Sequence, residues 1–190
     1  VLLFDFRGSG DSGNGRQSLA HYEQADLTAA LDWVARSHPR ARITVMAFSM
    51  GASTAILTAA QDPRIEALVL DSPFATMSGV IAANYRRYRL PGRLLLPVAD
   101  LVNRIFCGYT FEQVRPIDAM RSLSPRPVLL LHGTKDRIIP YEHAQQLVDA
   151  ASPGEVELIT FEGADHCGGY FVDRPGYIAR VARFLETVLG

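Results

Sequence analysis

The sequence predicts an α/β fold in which a mostly parallel sheet is covered by helices on both faces. Short apolar runs rich in β-branched residues alternate with longer segments of helical periodicity, and polar clusters follow several of the runs. Strands separated by helices imply parallel pairing. With 190 residues, 48% of them hydrophobic, the chain can form one domain with a sizeable core.

Residues 1–73 contain three apolar runs with the length of strands and two segments typical of helices. Strands are expected over Val1–Phe6, Ile43–Phe48 and Ile65–Leu70, and helices over Tyr22–Arg36 and Ala52–Ala60. Because the run Ile43–Phe48 is almost entirely apolar, we expect it to be a strand buried on both faces.

Residues 74–123 break this alternation, since aromatic side chains are scattered here between Pro91, Pro97 and Pro116. The segment is too long for a simple connection in a compact domain, and we interpret it as an inserted cap of two or three short helices. The alternation resumes over residues 124–190, the second part of the core. Its strands are expected over Val128–His132 and Val156–Phe161, and its helices over Tyr141–Ala151 and Tyr177–Leu189.

Composition argues against several classes of protein. A net charge of −1 gives no sign of binding to nucleic acid or to an anionic membrane surface. No apolar run is long enough to span a bilayer, and no signal peptide is visible. Val1 lies inside a strand-like run, so we expect the true N-terminus, with any signal or anchor, to be absent. Cys107 and Cys167 form no metal or disulfide framework, which suits a reducing compartment, and we expect a cytoplasmic protein.

Ser49 lies where the second predicted strand meets its helix. A serine on such a tight turn has its hydroxyl lifted clear of the backbone, and the amide of Met50 points at the same space. Ala47 and Gly51 supply small flanking residues, so the segment matches G-x-S-x-G with alanine in place of the first glycine. On this motif alone, Ser49 could equally be a helix N-cap.

Two further polar clusters follow later strands, one containing Asp136 and the other His166. The carboxyl ends of parallel strands share one edge, where open α/β sheets place their ligand crevice. A serine nucleophile needs a histidine to take its proton and a carboxylate to hold the histidine tautomer. We therefore expect Ser49, Asp136 and His166 to catalyse acyl transfer, in the chain order serine, acid, histidine.

Other residues are alternatives for these roles. Asp71 or Asp165 could be the acid, and His132 could be the base, although a histidine at a strand end before a glycine more often packs structurally. A metal site built from His132, Asp136 and His166 has no recognised ligand spacing, so no metal is expected. The remaining histidines are expected to be solvated on helices or at helix ends: His21, His38 and His143.

The glycine-rich segment Gly8–Gly13 spells G-x-G-x-x-G after a predicted strand, which raises a dinucleotide-binding alternative. However, the next helix begins several residues after the third glycine, so its N-terminus cannot hold a pyrophosphate there. The following strand also ends in Ala47-Phe48-Ser49 and not in the acidic residue that would bind ribose. We therefore expect no cofactor.

Taken together, these motifs resemble the α/β-hydrolase superfamily along essentially the whole chain. Asp5–Ser12 is similar to the D-x-R-G-x-G-x-S segment after the fourth strand of that family, and Ala47–Gly51 to its nucleophile elbow. The segments around Asp136 and His166 are similar to its acid and histidine loops. The strongest similarity is to bacterial serine hydrolases of the serine-aminopeptidase-like and cinnamoyl-esterase-like groups, and Gly108–Phe111 adds to it.

The resemblance implies an α/β-hydrolase fold with a small helical cap insertion, in which the first three strands of the family are missing. It also implies that the oxyanion hole has only one of its two donors. The Met50 N–H is present, and the donor from the loop after the third strand is absent. Losing one such donor typically costs ~10²–10³ in turnover. In the family the third strand lies between the fourth and fifth. Either Val1–Phe6 therefore shifts to pair directly with Ile43–Phe48, or a gap of one strand stays open.

The sequence thus predicts a serine hydrolase that cleaves a carboxylic ester or thioester through an acyl-enzyme on Ser49. A serine peptidase acting on short peptides is the alternative enzyme, and a non-catalytic hydrolase-like binding protein is the alternative of another class, because the oxyanion loop is absent. The expected partner is a small-molecule ester, thioester or peptide. Five cap residues could form an apolar acyl or aryl pocket or simply pack the cap onto the core: Phe74, Met77, Tyr85, Tyr88 and Phe106.

Overall fold

A computed structural model describes residues 1–190 and contains one sheet of four parallel strands. The strands lie in the order β1 (Ile43–Phe48), β2 (Ile65–Asp71), β3 (Val128–Gly133) and β4 (Val156–Phe161). Eight helices accompany them: α1 (Glu23–Ser37), α2 (Met50–Ala59), α3 (Met77–Arg87), α4 (Gly92–Cys107), α5 (Pro116–Met120), α6 (Glu142–Ala150), α7 (Gly169–Val172) and α8 (Arg174–Leu189). The predicted parallel α/β architecture is confirmed.

Two apolar layers hold the sheet, because successive side chains of a strand point to opposite faces. On one face Leu68 and Leu70 of β2 pack with residues of α1, α2 and α6, among them Leu31 and Ile56. On the other face Val69 belongs to a second cluster, which the α8 residues Tyr177, Val181 and Phe184 cover. Burying each large apolar side chain stabilises the fold by about 1.5–3 kcal/mol. The two layers therefore hold the strands, and with them the strand ends, in fixed positions.

Strand β1 is not buried on both faces, contrary to the expectation from its composition. It pairs only with β2, and its Met46 and Phe48 side chains are 42% and 49% exposed. The opposite side chains, Ile43, Val45 and Ala47, pack on the cluster beneath α1 and α2. The reason is the position of α8, whose apolar cluster includes residues of β2, β3 and β4 but none of β1.

The expected strand over Val1–Phe6 is also absent. These residues have no regular secondary structure and are mostly exposed, and they form no backbone hydrogen bond with Ile43–Phe48. Direct pairing of the two segments is therefore wrong. Phe6 instead packs its ring against the cluster that contains α2. An apolar run forms a strand only where a neighbouring strand offers backbone partners, and none lies beside this one.

Residues 74–123 form α3, α4, α5 and two short 3₁₀ turns, Phe111–Gln113 and Arg121–Leu123. A third apolar cluster lies beneath α3 and α4 and contains Phe74, Met77, Tyr109 and Phe111. The division of the chain at residues 73 and 123 remains a proposal. No single helix of the chain has the length and apolarity needed to cross a membrane.

Candidate active site

Ser49 occupies the turn between β1 and α2 in a strained backbone conformation, with φ 51° and ψ −124°. Its amide donates to the Asp71 carbonyl at 2.8 Å, which continues the β1–β2 ladder up to the turn. The side chain makes no cap hydrogen bond with α2, so the N-cap alternative does not describe its role. Non-glycine residues in such conformations persist where their surroundings hold them, and they cluster at functional sites.

The loops after β1, β3 and β4 bring the three predicted catalytic side chains into one hydrogen-bonded chain. The His166 Nε2 atom lies 2.8 Å from the Ser49 hydroxyl oxygen. The Nδ1 atom of the same ring lies 2.7 Å from the Asp136 carboxylate. The order of contacts is therefore serine, histidine and aspartate, although 117 residues separate Ser49 from His166 in the sequence.

The ionisation of Asp136 determines which nitrogen of His166 carries a proton. Burial would raise the pKa of Asp136, but hydrogen bonds from His132, His166 and the Ile139 amide outweigh it and hold the pKa well below its usual value. An ionised carboxylate can only accept, so His166 Nδ1–H is the donor to it. In the neutral ring Nε2 then has a free lone pair, and the Ser49 hydroxyl donates to it.

The charge of Asp136 also acts on the histidine. Burial would lower the pKa of His166, but the hydrogen bond to the Asp136 carboxylate outweighs it and raises the pKa above its ordinary value. A carboxylate in this position favours the protonated ring. It therefore stabilises the imidazolium that would form if His166 took the proton of Ser49.

The Asp136 side chain is fully buried and tightly oriented. One carboxylate oxygen accepts the backbone N–H groups of Ile138 and Ile139 at 2.9 and 2.8 Å. The other oxygen, which contacts His166, also lies 3.3 Å from the Nε2 atom of His132. These contacts leave the carboxylate no freedom to turn away from His166.

His132, the alternative base, contacts Asp136 and forms no hydrogen bond with Ser49. It is 1% exposed, and its Nε2–H donates to the Ile139 carbonyl at 2.9 Å. The structure thus gives His132 the packed role that its place before Gly133 favours. Its Nδ1 atom is buried without a partner.

The two alternative acids are engaged elsewhere. Asp165 forms a salt bridge with Arg137, and one of its oxygens accepts the His166 amide at 2.9 Å. Asp71 accepts the Tyr177 hydroxyl and the Ser72 hydroxyl, both at 2.9 Å. Neither carboxylate is the one that meets the His166 ring. Asp165 instead ties the histidine loop to the loop that carries Asp136.

A second support of the histidine loop was not predicted from the sequence. The Ser72 hydroxyl, held by Asp71, accepts the Cys167 amide at 3.2 Å, directly after His166. Ser72 and Cys167 both have positive φ values, 54° and 50°, like Ser49 at the same edge of the sheet. The signal in the sequence was the polar Asp71-Ser72 pair at the carboxyl end of β2, of which only Asp71 was a candidate, as an alternative acid.

Met50, the expected oxyanion donor, begins α2 directly after Ser49. Its backbone N–H donates to no group in the structure. A free amide at the first turn of a helix, where the helix dipole is positive, suits an anion. Its role as an oxyanion donor remains a prediction.

The five predicted pocket residues do not gather at one place. Phe74 and Met77 are buried in the cluster beneath the cap, whereas Tyr88 and Phe106 are 65% and 70% exposed. The Tyr85 side chain packs close to the Gly92 backbone. This packing gives no support to an aromatic pocket formed by all five, and their role stays a prediction.

A cavity of about 500 Å³ lies between α3 and α6, away from Ser49 and His166. His143 lines it and is 6% exposed, so the expectation of a solvated side chain is wrong. The Ala75 amide donates to its Nδ1 atom at 3.1 Å, and burial lowers its pKa to about 4. The ring is therefore a neutral structural link between α6 and the start of α3.

The sequence profile described as serine aminopeptidase, S33, matches residues 1–115 of the chain. A second hydrolase profile, described as TAP-like protein, matches residues 101–188. The uncharacterized protein YqkD of Bacillus subtilis is 31% identical over 192 residues, which cover 99% of this chain and 62% of YqkD. Rv2307c of Mycobacterium tuberculosis, also uncharacterized, is 33% identical over 194 residues, or 100% of this chain and 62% of that protein.

Among solved structures, the esterase Pf2001 of Pyrococcus furiosus superposes with a TM-score of 0.77 at 26% identity. The superposition covers 98% of this chain and 70% of the esterase. The chain thus spans about 62% of the length of the curated relatives that it matches. The profile match, together with the four-stranded parallel sheet and its two helical layers, confirms the resemblance inferred from the motifs. The chain belongs to the S33 serine aminopeptidase family and has the α/β-hydrolase fold.

Proposed function

We propose that this protein is a serine hydrolase that cleaves carboxylic esters or thioesters through an acyl-enzyme on Ser49. The observation that carries the proposal is the pair of short contacts made by one imidazole, 2.8 Å to the Ser49 hydroxyl and 2.7 Å to the Asp136 carboxylate. Nucleophile, base and orienting acid at hydrogen-bond distance are the arrangement that acyl transfer by serine requires.

In the first step the Ser49 oxygen attacks the substrate carbonyl carbon while His166 Nε2 takes the hydroxyl proton. The imidazolium that forms is stabilised by the ionised Asp136. His166 then gives the proton to the leaving alkoxide or thiolate, so that an alcohol or thiol departs and the acyl group remains on Ser49. Water, deprotonated by the same nitrogen, releases the acid and restores the serine.

The negative oxygen of the tetrahedral intermediate needs donors that are already in position. The Met50 amide supports this role because it begins α2, follows the nucleophile directly and donates to no other group. The strained φ of Ser49 separates its hydroxyl from the helix, which leaves the space over the Met50 amide for the substrate oxygen.

An ester or thioester substrate is favoured over a peptide for two reasons. Pf2001, a solved relative at 26% identity, is an esterase. An aminopeptidase, the activity that the family description names, must also hold a free substrate amino group, for which a carboxylate is the natural partner. The two carboxylates beside the site, Asp71 and Asp165, are already bonded to Tyr177 and Arg137.

A fluorophosphonate probe, which labels only an activated serine, tests the proposal. We expect the full chain to be labelled and Ser49→Ala to be unlabelled. Ser53→Ala is the matched control, because Ser53 lies one turn along α2 and its buried hydroxyl bonds the Phe74 backbone, so labelling should persist. Folding of all three proteins is checked by circular dichroism.

The possible outcomes separate the classes of function. Labelling at Ser49 followed by turnover of p-nitrophenyl esters or acyl thioesters, but not of aminoacyl anilides, supports the proposal. Turnover of the anilides alone would make the protein a peptidase. A folded protein that the probe does not label would contradict the proposal and favour a non-catalytic binding protein.

A further inference from the structure

Helix α4 carries an apolar stripe that the other residues of this chain leave uncovered. Leu94, Val98, Leu101 and Ile105 follow one another at spacings of three and four residues and therefore lie on one side of the helix. Their exposed fractions are 72%, 58%, 56% and 66%. No residue of α4 is buried, and only its opposite side, with Leu96 and Ala99, packs on the cluster beneath the cap.

Val102 and Phe106 widen this stripe on one flank, with exposed fractions of 47% and 70%. We refer to Leu94, Val98, Leu101, Val102, Ile105 and Phe106 together as the α4 face. Single exposed apolar side chains are common on protein surfaces. An uninterrupted stripe along about three turns of a helix is different, because it marks a surface that contacts an apolar partner.

Positive charge is concentrated in the cap segment that carries the α4 face. Residues 77–108 contain the exposed arginines 86, 87, 89, 93 and 104 and one carboxylate, Asp100, a local charge of +4 in a chain whose net charge is −1. None of the five arginines forms an ion pair. Asp100 accepts the Phe111 amide at 2.6 Å, so it is engaged within the cap. The net charge of the whole chain, which gives no sign of binding to an anionic surface, does not describe this region.

The arginines on α4 itself have a regular position. Arg93 and Arg104 are eleven residues apart, about three turns and roughly 16 Å along the helix, so both lie on the same flank of the stripe. A long arginine side chain can lie along an apolar surface while its guanidinium reaches the polar layer above. An apolar stripe with cations along its flank is the pattern of a helix that lies in a membrane interface.

We propose that the α4 face docks on the surface of an anionic phospholipid bilayer, with the helix parallel to the membrane plane. The apolar side chains enter the boundary between headgroups and acyl chains, and the arginines contact lipid phosphates. A second copy of the chain fits less well, because pairing two α4 faces would bring two sets of unpaired arginines together. With 16 residues, the helix is too short to span the bilayer.

Vesicle co-flotation of the full chain tests the proposal without reference to enzymatic activity. We expect binding to phosphatidylcholine vesicles that contain about 30% phosphatidylglycerol, weak binding to pure phosphatidylcholine, and release from the anionic vesicles in high salt. Ile105→Glu should reduce binding about tenfold or more, since it places a charge in the apolar stripe. Ile178→Glu is the matched control on α8, where Ile178 is 48% exposed, and should bind like the wild type.

A second pair of variants tests the charges. Arg93→Gln with Arg104→Gln should weaken binding to anionic vesicles about tenfold or more, whereas Arg36→Gln with Arg180→Gln, which removes the same charge from exposed positions elsewhere, should not. Circular dichroism confirms that each variant is folded. Absence of binding to anionic vesicles, or equal binding by Ile105→Glu, would overturn the proposal. A dimer that Ile105→Glu dissociates, without any vesicle binding, would overturn it too and assign the face to a second copy.

Discussion

Helices α2 and α4 are both apolar, yet seven of the ten residues of α2 are buried and none of the sixteen residues of α4 is. Helix α2 lies between the sheet and α1, and it begins at Ser49. Helix α4 packs one side on α3 and on the cluster beneath the cap, and its other side faces outward. Apolar composition therefore has two different consequences here. In α2 it holds the proposed nucleophile in place, and in α4 it leaves a surface free for a partner.

Among substitutions that keep the shape of the site, the largest effect should come from removing the charge that orients the proposed base beside α2. Asp136→Asn keeps the shape of the side chain but disfavours the His166 tautomer that accepts the Ser49 proton. We expect kcat for an activated ester to fall by about 10³–10⁴-fold. A substitution on the α4 face, such as Leu101→Ala, should leave the hydrolysis of a soluble ester nearly unchanged. Comparable losses in both variants would contradict the contrast between the helices.

A matched pair of isoleucines tests the same contrast in stability. Ile56 of α2 is fully buried and Ile105 of α4 is 66% exposed. Ile56→Ala should lower the free energy of unfolding by about 2–5 kcal/mol, because it leaves a cavity in the core. Ile105→Ala should change it by less than about 0.5 kcal/mol. Urea denaturation followed by circular dichroism measures both, and similar midpoints would refute the assignment of α4 as an uncovered surface.

The two histidines that contact Asp136 should differ in the kind of effect that they produce. His132→Leu leaves the Ile139 carbonyl without its donor and should cost about 1–3 kcal/mol of stability. Its effect on kcat should stay within roughly tenfold, because Asp136 keeps two backbone donors and His166. His166→Ala should instead remove activity with little loss of stability. Measurement of kcat beside thermal unfolding distinguishes the two, and a reversed pattern would assign the base to His132.

The smallest effect concerns pH. Because Asp136 raises the pKa of His166, the neutral ring that can accept a proton is lost at a higher pH than for an isolated histidine, whose pKa is 6.5. Activity should therefore fall on acidification with a midpoint above pH 6.5. An NMR titration of the ring should give the same midpoint, and in Asp136→Asn the pKa should move down. A midpoint that the substitution leaves unchanged would remove Asp136 as the cause.

Most of the sheet could be predicted because each strand is marked by an apolar run of neighbouring residues in the sequence. The strands β2 to β4 and the helices α1, α2, α6 and α8 lie within a few residues of their expected bounds. The prediction was wrong where a partner decides the outcome. Val1–Phe6 has the composition of a strand but no neighbour to pair with, and β1 has the composition of a buried strand but lies outside the cover of α8.

In the site, too, some features follow from local sequence and others depend on partners that are distant in the chain. Chain order and position after strands were enough to predict Ser49, Asp136 and His166, because parallel strands bring their carboxyl ends to one edge. The Ser72–Cys167 contact and the burial of His143 were not predictable, since each joins loops and helices distant in the chain.

The sequence by itself determined the α/β alternation, the family and the three polar residues that meet at the edge of the sheet, because each depends on spacing along the chain. Only the tertiary structure decided which apolar segments are covered by other elements. Those outcomes depend on the layer that α8 and α2 form around the sheet. Whether a residue is buried depends on the residues that surround it in space, and most of these are distant from it in the sequence.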